Sequence, residues 1–227
     1  MIARRPLSTL SIRVLAAAAA TLAVATGCDR SPAPPPSPPT PIASDPEQAA
    51  EPLRAVIDTD KGTVVIEFLE GAPRTVANFC LLASKGFYDG QPFYGRSTVV
   101  RQMGRPTPGF TPGYDLPREF VPGAWFDQGG RVAATLVTDA DSSPAHGSGF
   151  FITVKAQDRW NLVYPIFANV IEGLDVVQSI QDGDRIRTVT LEGDPQPLWV
   201  QYPREVAQWS AAIERIGSIP EPVDRPR

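Results

Sequence analysis

Apolar and polar residues alternate along many short segments of this chain, and helical spacing is confined to a few. The segment "AVIDTDKGTVVIEFL", residues 55–69, has two β-branched runs separated by "DKG". Val64, Ile66 and Phe68 occupy every second position of the later run. This pattern predicts a β-hairpin.

Further strand patterns follow along the chain. Each combines β-branched or aromatic residues over four to eight positions. They read "STVVRQM", "GRVAATLV", "GFFITV", "IFANVI" and "RIRTVTL". Six or seven short strands with few helices predict a mainly β protein, either a closed barrel or a sandwich.

Helical spacing first occurs in "APRTVANFCLLASKGF". Pro73 begins this stretch, its apolar residues recur every three or four positions, and Gly86 ends it. Cys80 lies on the apolar face, so we expect a buried structural thiol. A second, shorter helix is predicted in "GLDVVQSI", before the last strand.

A third helix is predicted in "PREVAQWSAAIERIG", near the end of the chain. Pro203 begins it, and Val206, Trp209, Ile213 and Ile216 share one face. We expect this apolar stripe to pack on its own domain. The alternative is a structural lipoprotein that uses the helix to assemble with a partner.

The first residues have the pattern of a bacterial export signal. Residues 1–27 combine early arginines with the apolar run "VLAAAAATLAVA", and "ATGC" ends at Cys28. "ATGC" resembles the lipobox of bacterial lipoproteins, which predicts lipidation of Cys28 and a periplasmic, membrane-anchored protein. Asp29 favours the inner membrane. An ordinary cleaved signal with an incidental cysteine is the alternative.

The chain divides by composition into four parts. Residues 1–27 are the leader, and residues 28–53 are the lipidated cysteine and a proline-rich linker. Residues 54–194 are the folded domain, and residues 195–227 are a C-terminal helical extension.

Charge and residue usage exclude several functions. Without the leader the chain has 18 Lys and Arg against 25 Asp and Glu, a net charge near −7, and we expect no nucleic-acid partner. The only histidine, His146, lies in "DADSSPAHGSGFF", which predicts a solvent-exposed loop residue. We expect no metal and no cofactor, since a zinc cluster and nucleotide-binding motifs are absent from the sequence.

Three segments resemble the cyclophilin family of peptidyl-prolyl isomerases, in the family's order. They are "APRTVANFCLLASKGFYDGQPFY", "GSGFFITV" and "YPIFANVIEGLDVVQSI", and the likeness extends from Arg54 to Gly193. The resemblance implies a closed eight-stranded antiparallel β-barrel capped by two helices, with a cofactor-free active face on the outside of the barrel.

The resemblance also assigns the site. Arg96 matches the catalytic arginine and Gln102 the glutamine, with a two-residue deletion between them. Strand alternation places Gln102 and Val100 on one face and Arg101 on the other, so Arg101 should not replace Arg96. The implied substrate-binding positions are Phe151 as the floor, with Gln102, Val99, Val100, Trp160, Tyr164 and Leu136.

Five positions, in four places along the chain, depart from the family pattern. "Tyr94-Gly95" replaces Phe-His, Met103 replaces a glycine, Leu136 an asparagine and Gly149 a glutamine. Losing backbone-binding groups would weaken peptide binding, which predicts a slow or selective enzyme.

The sequence therefore predicts a monomeric isomerase that acts on proline-containing polypeptides of the cell envelope as they fold. The main alternative is a cyclophilin-fold binding or chaperone module of an envelope complex with little or no catalysis.

Overall fold

A computed structural model describes residues 51–107, 109–140 and 142–217 of the 227-residue chain. The predicted leader, Cys28 and Asp29 lie outside the described residues. The strands are β1 (Arg54–Thr59), β2 (Gly62–Phe68), β3 (Val100–Met103), β4 (Asp115–Leu116), β5 (Arg131–Leu136), β6 (Ala145–Thr153), β7 (Ile166–Glu172) and β8 (Ile186–Glu192). The helices are α1 (Pro73–Ser84), α2 (Leu174–Ser179), α3 (Gln196–Gln201) and α4 (Pro203–Ile216), with a 3-10 turn at Asp158–Trp160.

The eight strands form one curled antiparallel sheet in the order β3-β6-β5-β7-β2-β1-β8, and β4 also pairs with β6. The mainly β class is thus confirmed. A closed barrel is not confirmed, because β3 and β8 are the two ends of the strand path. Residues 90–94 hydrogen-bond to both ends: the Gly90 N–H donates to Ile186 O over 2.8 Å, and the Tyr94 N–H donates to Gln102 O over 2.9 Å.

The side chains of neighbouring residues in β6 lie on opposite faces of this sheet. Phe150 packs in the main core against Phe79 of α1, with ring centroids 5.3 Å apart. Phe151 belongs to a separate apolar cluster, with Phe126 and Trp160. Side chains alternate across a strand, which is why the two neighbouring phenylalanines lie on opposite faces.

Helix α1 covers the main core. Glu119 accepts hydrogen bonds from the N–H groups of Arg74 and Thr75, over 3.1 and 2.8 Å, which satisfies donors at the helix start. Cys80 is buried on the inner face, as predicted. Burial raises the pKa of its thiol to about 12, so this cysteine stays protonated and unreactive at neutral pH.

The C-terminal helices pack on the outer side of α1. Trp209 of α4 is buried in a cluster with Ala77 and Leu81 of α1. The indole N–H of Trp199, in α3, donates to Ala77 O over 3.0 Å. The apolar stripe of α4 therefore packs on its own domain, as predicted, while α3 was not predicted. Among the described helices, none is both long and apolar enough to cross a bilayer.

Candidate active site

A cavity of about 360 Å³ opens on the face of the sheet that carries Phe151. Its wall combines aromatic, aliphatic and polar side chains. The lining residues are Gly95, Ser97, Val99, Val100, Gln102, Arg105, Thr135, Leu136, Asp139, Phe151, Trp160 and Tyr164. Seven of these were predicted as substrate-binding residues: Val99, Val100, Gln102, Leu136, Phe151, Trp160 and Tyr164.

The floor of the cavity is a rigid aromatic cluster. The Phe151 ring meets Trp160 and Tyr164 edge-on, with centroid distances of 5.6 and 5.2 Å. Phe126 stacks behind it at 6.0 Å. Edge-to-face pairs hold each ring in one orientation. The cluster therefore offers a preformed apolar seat for a flat ring of modest size.

The loop before β3 places Gln102 against Gly95. Tyr94 and Gln102 exchange two backbone hydrogen bonds, of 2.9 and 3.2 Å. Gly95 has a φ of +60°, and a Cβ atom there would lie 3.0 Å from Oε1 of Gln102. A side chain at position 95 would thus be strained and would crowd the glutamine.

Arg96, the predicted catalytic residue, does not line the cavity. Its side chain is exposed to solvent, and its backbone N–H donates to Asp182 Oδ1 over 2.9 Å. The left-handed turn at Gly95 redirects the chain just before Arg96, and the Asp182 bond holds it there. Among the predicted active-site residues, Arg96 is thus the one that is not part of the cavity lining.

Arg101 faces away from the cavity, as strand alternation predicted. Only 4% of this residue is exposed. Its Nη1 donates to Ser97 O and Val100 O over 2.7 and 2.9 Å, and its Nη2 donates to Gln178 O over 2.8 Å. The guanidinium of Arg101 is thus used inside the protein, between the β3 loop and α2.

Arg105 is one of five cavity-lining residues that the sequence did not assign, with Gly95, Ser97, Thr135 and Asp139. Its Nη2 donates to Thr135 Oγ1 over 3.0 Å and to Leu136 O over 2.8 Å, which fixes the guanidinium on the cavity wall. The signal for it lay in two features, a basic residue at position 105 just after β3 and the glycine at position 149, which was noted above as a departure. They are 44 residues apart, so only the pairing of β3 with β6 connects them.

His146 is buried, which makes the predicted exposed loop position wrong. It lies in β6, where 4% of it is exposed. Nδ1 accepts the N–H groups of Ser148 and Gly149 over 3.1 and 2.9 Å. The proton therefore resides on Nε2, 3.0 Å from Phe110 O. Burial, and secondarily the charge of Arg105, lowers the pKa of His146 to about 4.

The cavity thus joins an aromatic seat to hydrogen-bond donors. Gln102 supplies an amide and Arg105 a cationic guanidinium, which is the chemistry needed to hold an apolar ring and the peptide groups beside it. Within the described ranges, no cluster of three or more His, Cys, Asp or Glu residues could hold a metal ion.

Comparison with known proteins gives one family. Residues 54–198 match the "Cyclophilin type peptidyl-prolyl cis-trans isomerase/CLD" family. A peptidyl-prolyl cis-trans isomerase of Synechococcus elongatus is 35% identical over 147 residues, which are 62% of this chain and 97% of the relative. Peptidyl-prolyl cis-trans isomerase B of Bacillus subtilis is 34% identical over 55% of this chain and 86% of the relative.

The fold agrees with these matches. The crystal structure of a cyclophilin-type peptidyl-prolyl cis-trans isomerase from Cryptosporidium parvum superposes with a TM-score of 0.54 at 21% identity. The superposition covers 63% of this chain and 98% of that protein. The likeness therefore extends to nearly the whole of that structure.

Proposed function

The chain belongs to the cyclophilin-type peptidyl-prolyl cis-trans isomerases, and from this premise we propose that the cavity over Phe151 is where it rotates X-Pro bonds of exported proteins. The observation that carries the proposal is the aromatic seat, flanked by the Gln102 amide and a fixed guanidinium. The alternative of a catalytically weak binding module is not favoured by the family match.

The reaction needs stabilisation of a twisted amide. Rotation about a C–N bond has a barrier of about 18 to 20 kcal/mol, because resonance is lost in the twisted state. As the bond twists, the prolyl nitrogen recovers a lone pair. A seat that holds the proline ring while donors contact the twisted amide binds the transition state better than either planar state.

The aromatic floor supplies the proline seat. Phe151 is buried to 97% and is braced by Trp160 and Tyr164. Val99 and Val100 flank it from β3 and the preceding loop. These side chains would hold the proline ring of the substrate, while the amide beside that ring stays within reach of polar groups.

Removing the floor is the direct test of this site. We expect Phe151→Ala to lower kcat/KM at least tenfold on an X-Pro peptide, because the proline ring loses its apolar contact, worth about 1.5 to 3 kcal/mol. Two-dimensional exchange NMR on a proline peptide, with the purified full chain, measures the rate. Ile171→Ala, an exposed apolar position on β7, is the matched control. Equal rates for wild type and Phe151→Ala would place catalysis elsewhere.

The resemblance assigns the donor to Arg96, and this assignment stays a prediction. Arg96 can reach a peptide in the cavity only if its exposed side chain turns towards it. Substitution of Arg96 by alanine tests the assignment, in the same assay.

We also propose that the fold behaves as a closed barrel through residues 90–94. This segment bonds to Ile186 on one side and to Gln102 on the other. It thereby occupies the place between β8 and β3.

We propose an envelope location from the sequence. The leader of residues 1–27 directs export, Cys28 carries the lipid, and Asp29 favours the inner membrane. Residues 28–53 tether the folded domain of residues 54–194 and its extension, residues 195–227. A monomer of this kind would meet proline-containing envelope polypeptides as they fold, and uncatalysed isomerisation takes tens of seconds or more.

Mass spectrometry of the membrane-extracted protein tests the anchor. We expect a mature chain that begins at an acylated Cys28, and a Cys28→Ser variant that leaves the membrane fraction. Recovery of an unmodified Cys28 in the soluble fraction would contradict lipidation.

A further inference from the structure

The backbone after β3 delivers Arg105 to the cavity. Gly104 has a φ of +84°, and a Cβ atom there would lie 2.1 Å from Ser148 O, so no side chain fits. Gly104 O accepts the Ser148 hydroxyl over 2.7 Å. This close approach sets the chain directly against β6, and Arg105 follows one residue later.

The guanidinium of Arg105 takes the side-chain space of position 149. A Cβ atom on Gly149 would lie 2.9 Å from Arg105 Nε and 2.5 Å from Thr135 Oγ1. The bare α-carbon thus makes room for the arginine, and Thr135 and Leu136 anchor it. A donor fixed before substrate arrives costs little further ordering when the peptide binds.

The charge of Arg105 is available to a bound peptide. Both of its hydrogen bonds come from Nη2, and Nη1 has no protein acceptor among the residues the structure describes. No salt bridge of the described residues includes Arg105, whereas Arg54, Arg74, Arg131 and Arg187 each pair with a carboxylate. A cation held at a cavity wall without an ion partner keeps its attraction for a substrate oxygen or lone pair.

The three arginines around β3 differ in what they face. Arg96 is exposed outside the cavity, Arg101 is buried on the opposite side, and Arg105 lines the cavity with Gln102 and Phe151. Resting on the function proposed above, we propose that Arg105, and not Arg96, is the catalytic arginine of this isomerase. No covalent bond forms or breaks at this arginine. Its N–H groups donate to the X-Pro group as the amide electron pair withdraws from resonance onto the prolyl nitrogen.

The test compares arginine variants of the purified full chain by exchange NMR on one X-Pro peptide. We expect Arg105→Ala to lower kcat/KM about a hundredfold, the usual effect of removing one transition-state donor. The loss should fall mainly on kcat, since the interaction strengthens as the bond twists. Arg96→Ala should retain most of the activity, and Arg215→Ala, an exposed position on α4, is the remote control.

Chemical rescue separates a catalytic from a structural role. Guanidinium chloride at tens of millimolar should restore part of the Arg105→Ala rate by refilling the space above Gly149, while equal sodium chloride should not. A second variant, Gly149→Ala, should displace the guanidinium. It should lower kcat/KM by a larger factor in the wild type than in the Arg105→Ala background, where the added methyl group meets Thr135 but no guanidinium.

The outcomes are distinct. An inactive wild-type protein would overturn the proposed function, and this inference with it. An active wild type with unchanged Arg105→Ala and a disabled Arg96→Ala would overturn the inference alone and restore the sequence-based assignment. A loss in Arg105→Ala that neither guanidinium nor an Arg105→Lys substitution relieves would show a structural arginine.

Discussion

At the scale of single residues, His146 shows how a buried neutral imidazole links stability to pH. Its Nδ1 accepts two backbone N–H groups, and protonation there would remove both bonds. The native pKa is about 4, below the ordinary 6.5, so the unfolded chain takes up the proton first. The stability that His146 contributes is full above pH 6.5 and is lost as the pH falls towards 4.

We therefore expect the wild type to lose up to about 3 kcal/mol of unfolding free energy between pH 7 and pH 4 through this residue. Denaturant titrations across that range measure it. An Asn at position 146 keeps an acceptor but has no titration, so His146→Asn should show a shallower decline. The same slope in both proteins would show that carboxylates alone set the pH dependence.

The sequence could place most cavity residues but not the arginine that faces them. Phe151 and Gln102 follow from family motifs and strand alternation, which are local properties of the chain. The position of Arg105 depends on the register in which β3 pairs with β6. It also depends on Gly149, which this pairing places next to the guanidinium. His146 was mistaken for a loop residue because its glycine and serine neighbours suit turns, although here they let strands approach closely.

At the scale of elements, Arg101 joins the loop before β3 to the end of α2. It is buried and donates to three backbone carbonyls, those of Ser97 in the loop, Val100 at the start of β3 and Gln178 in α2. Burial lowers the pKa of its guanidinium, yet an arginine stays charged at neutral pH. These three hydrogen bonds, which we call the Arg101 clamp, hold residues 97–100. Val99 and Val100 of this segment line the cavity.

We expect Arg101→Met to destabilise the protein by about 1 to 3 kcal/mol, because buried carbonyls lose their donor. KM for the peptide should rise as well, since the valines are held less firmly. Denaturant unfolding and peptide kinetics measure the two effects. Arg187→Met, which removes an exposed ion pair with Asp60, should cost well under 1 kcal/mol. Equal stability of both variants would mean that the Arg101 clamp is dispensable.

Element types were predictable where a segment's own pattern decides them. The hairpin, α1 and α4 were predicted from the spacing of their apolar residues and from the proline or glycine residues that bound them. The two-residue β4 and the helix α3 have too few positions to show a period. Residues 90–94 bond on one side to Ile186, which is far away in sequence, and a local pattern cannot reveal that contact.

At the scale of the whole molecule, the C-terminal extension contributes to the folded core but not to the cavity. Helices α3 and α4 cover α1 through Trp199, Trp209 and Tyr202. No cavity-lining residue belongs to either helix. The extension is therefore part of the folded unit, while the cavity proposed as the reaction site is lined by residues between 95 and 164.

We expect truncation after Gly193 to lower the unfolding free energy by about 3 kcal/mol or more and to reduce solubility, because Ala77, Leu81 and Leu116 lose their apolar cover. The kcat/KM of the molecules that remain folded should not change. Thermal unfolding, size-exclusion chromatography and exchange NMR measure these quantities, and a chain ending at Gly217 is the matched control. If truncation changed neither stability nor solubility, α4 would be dispensable to its own domain, and the apolar stripe would be better explained as a surface for a partner.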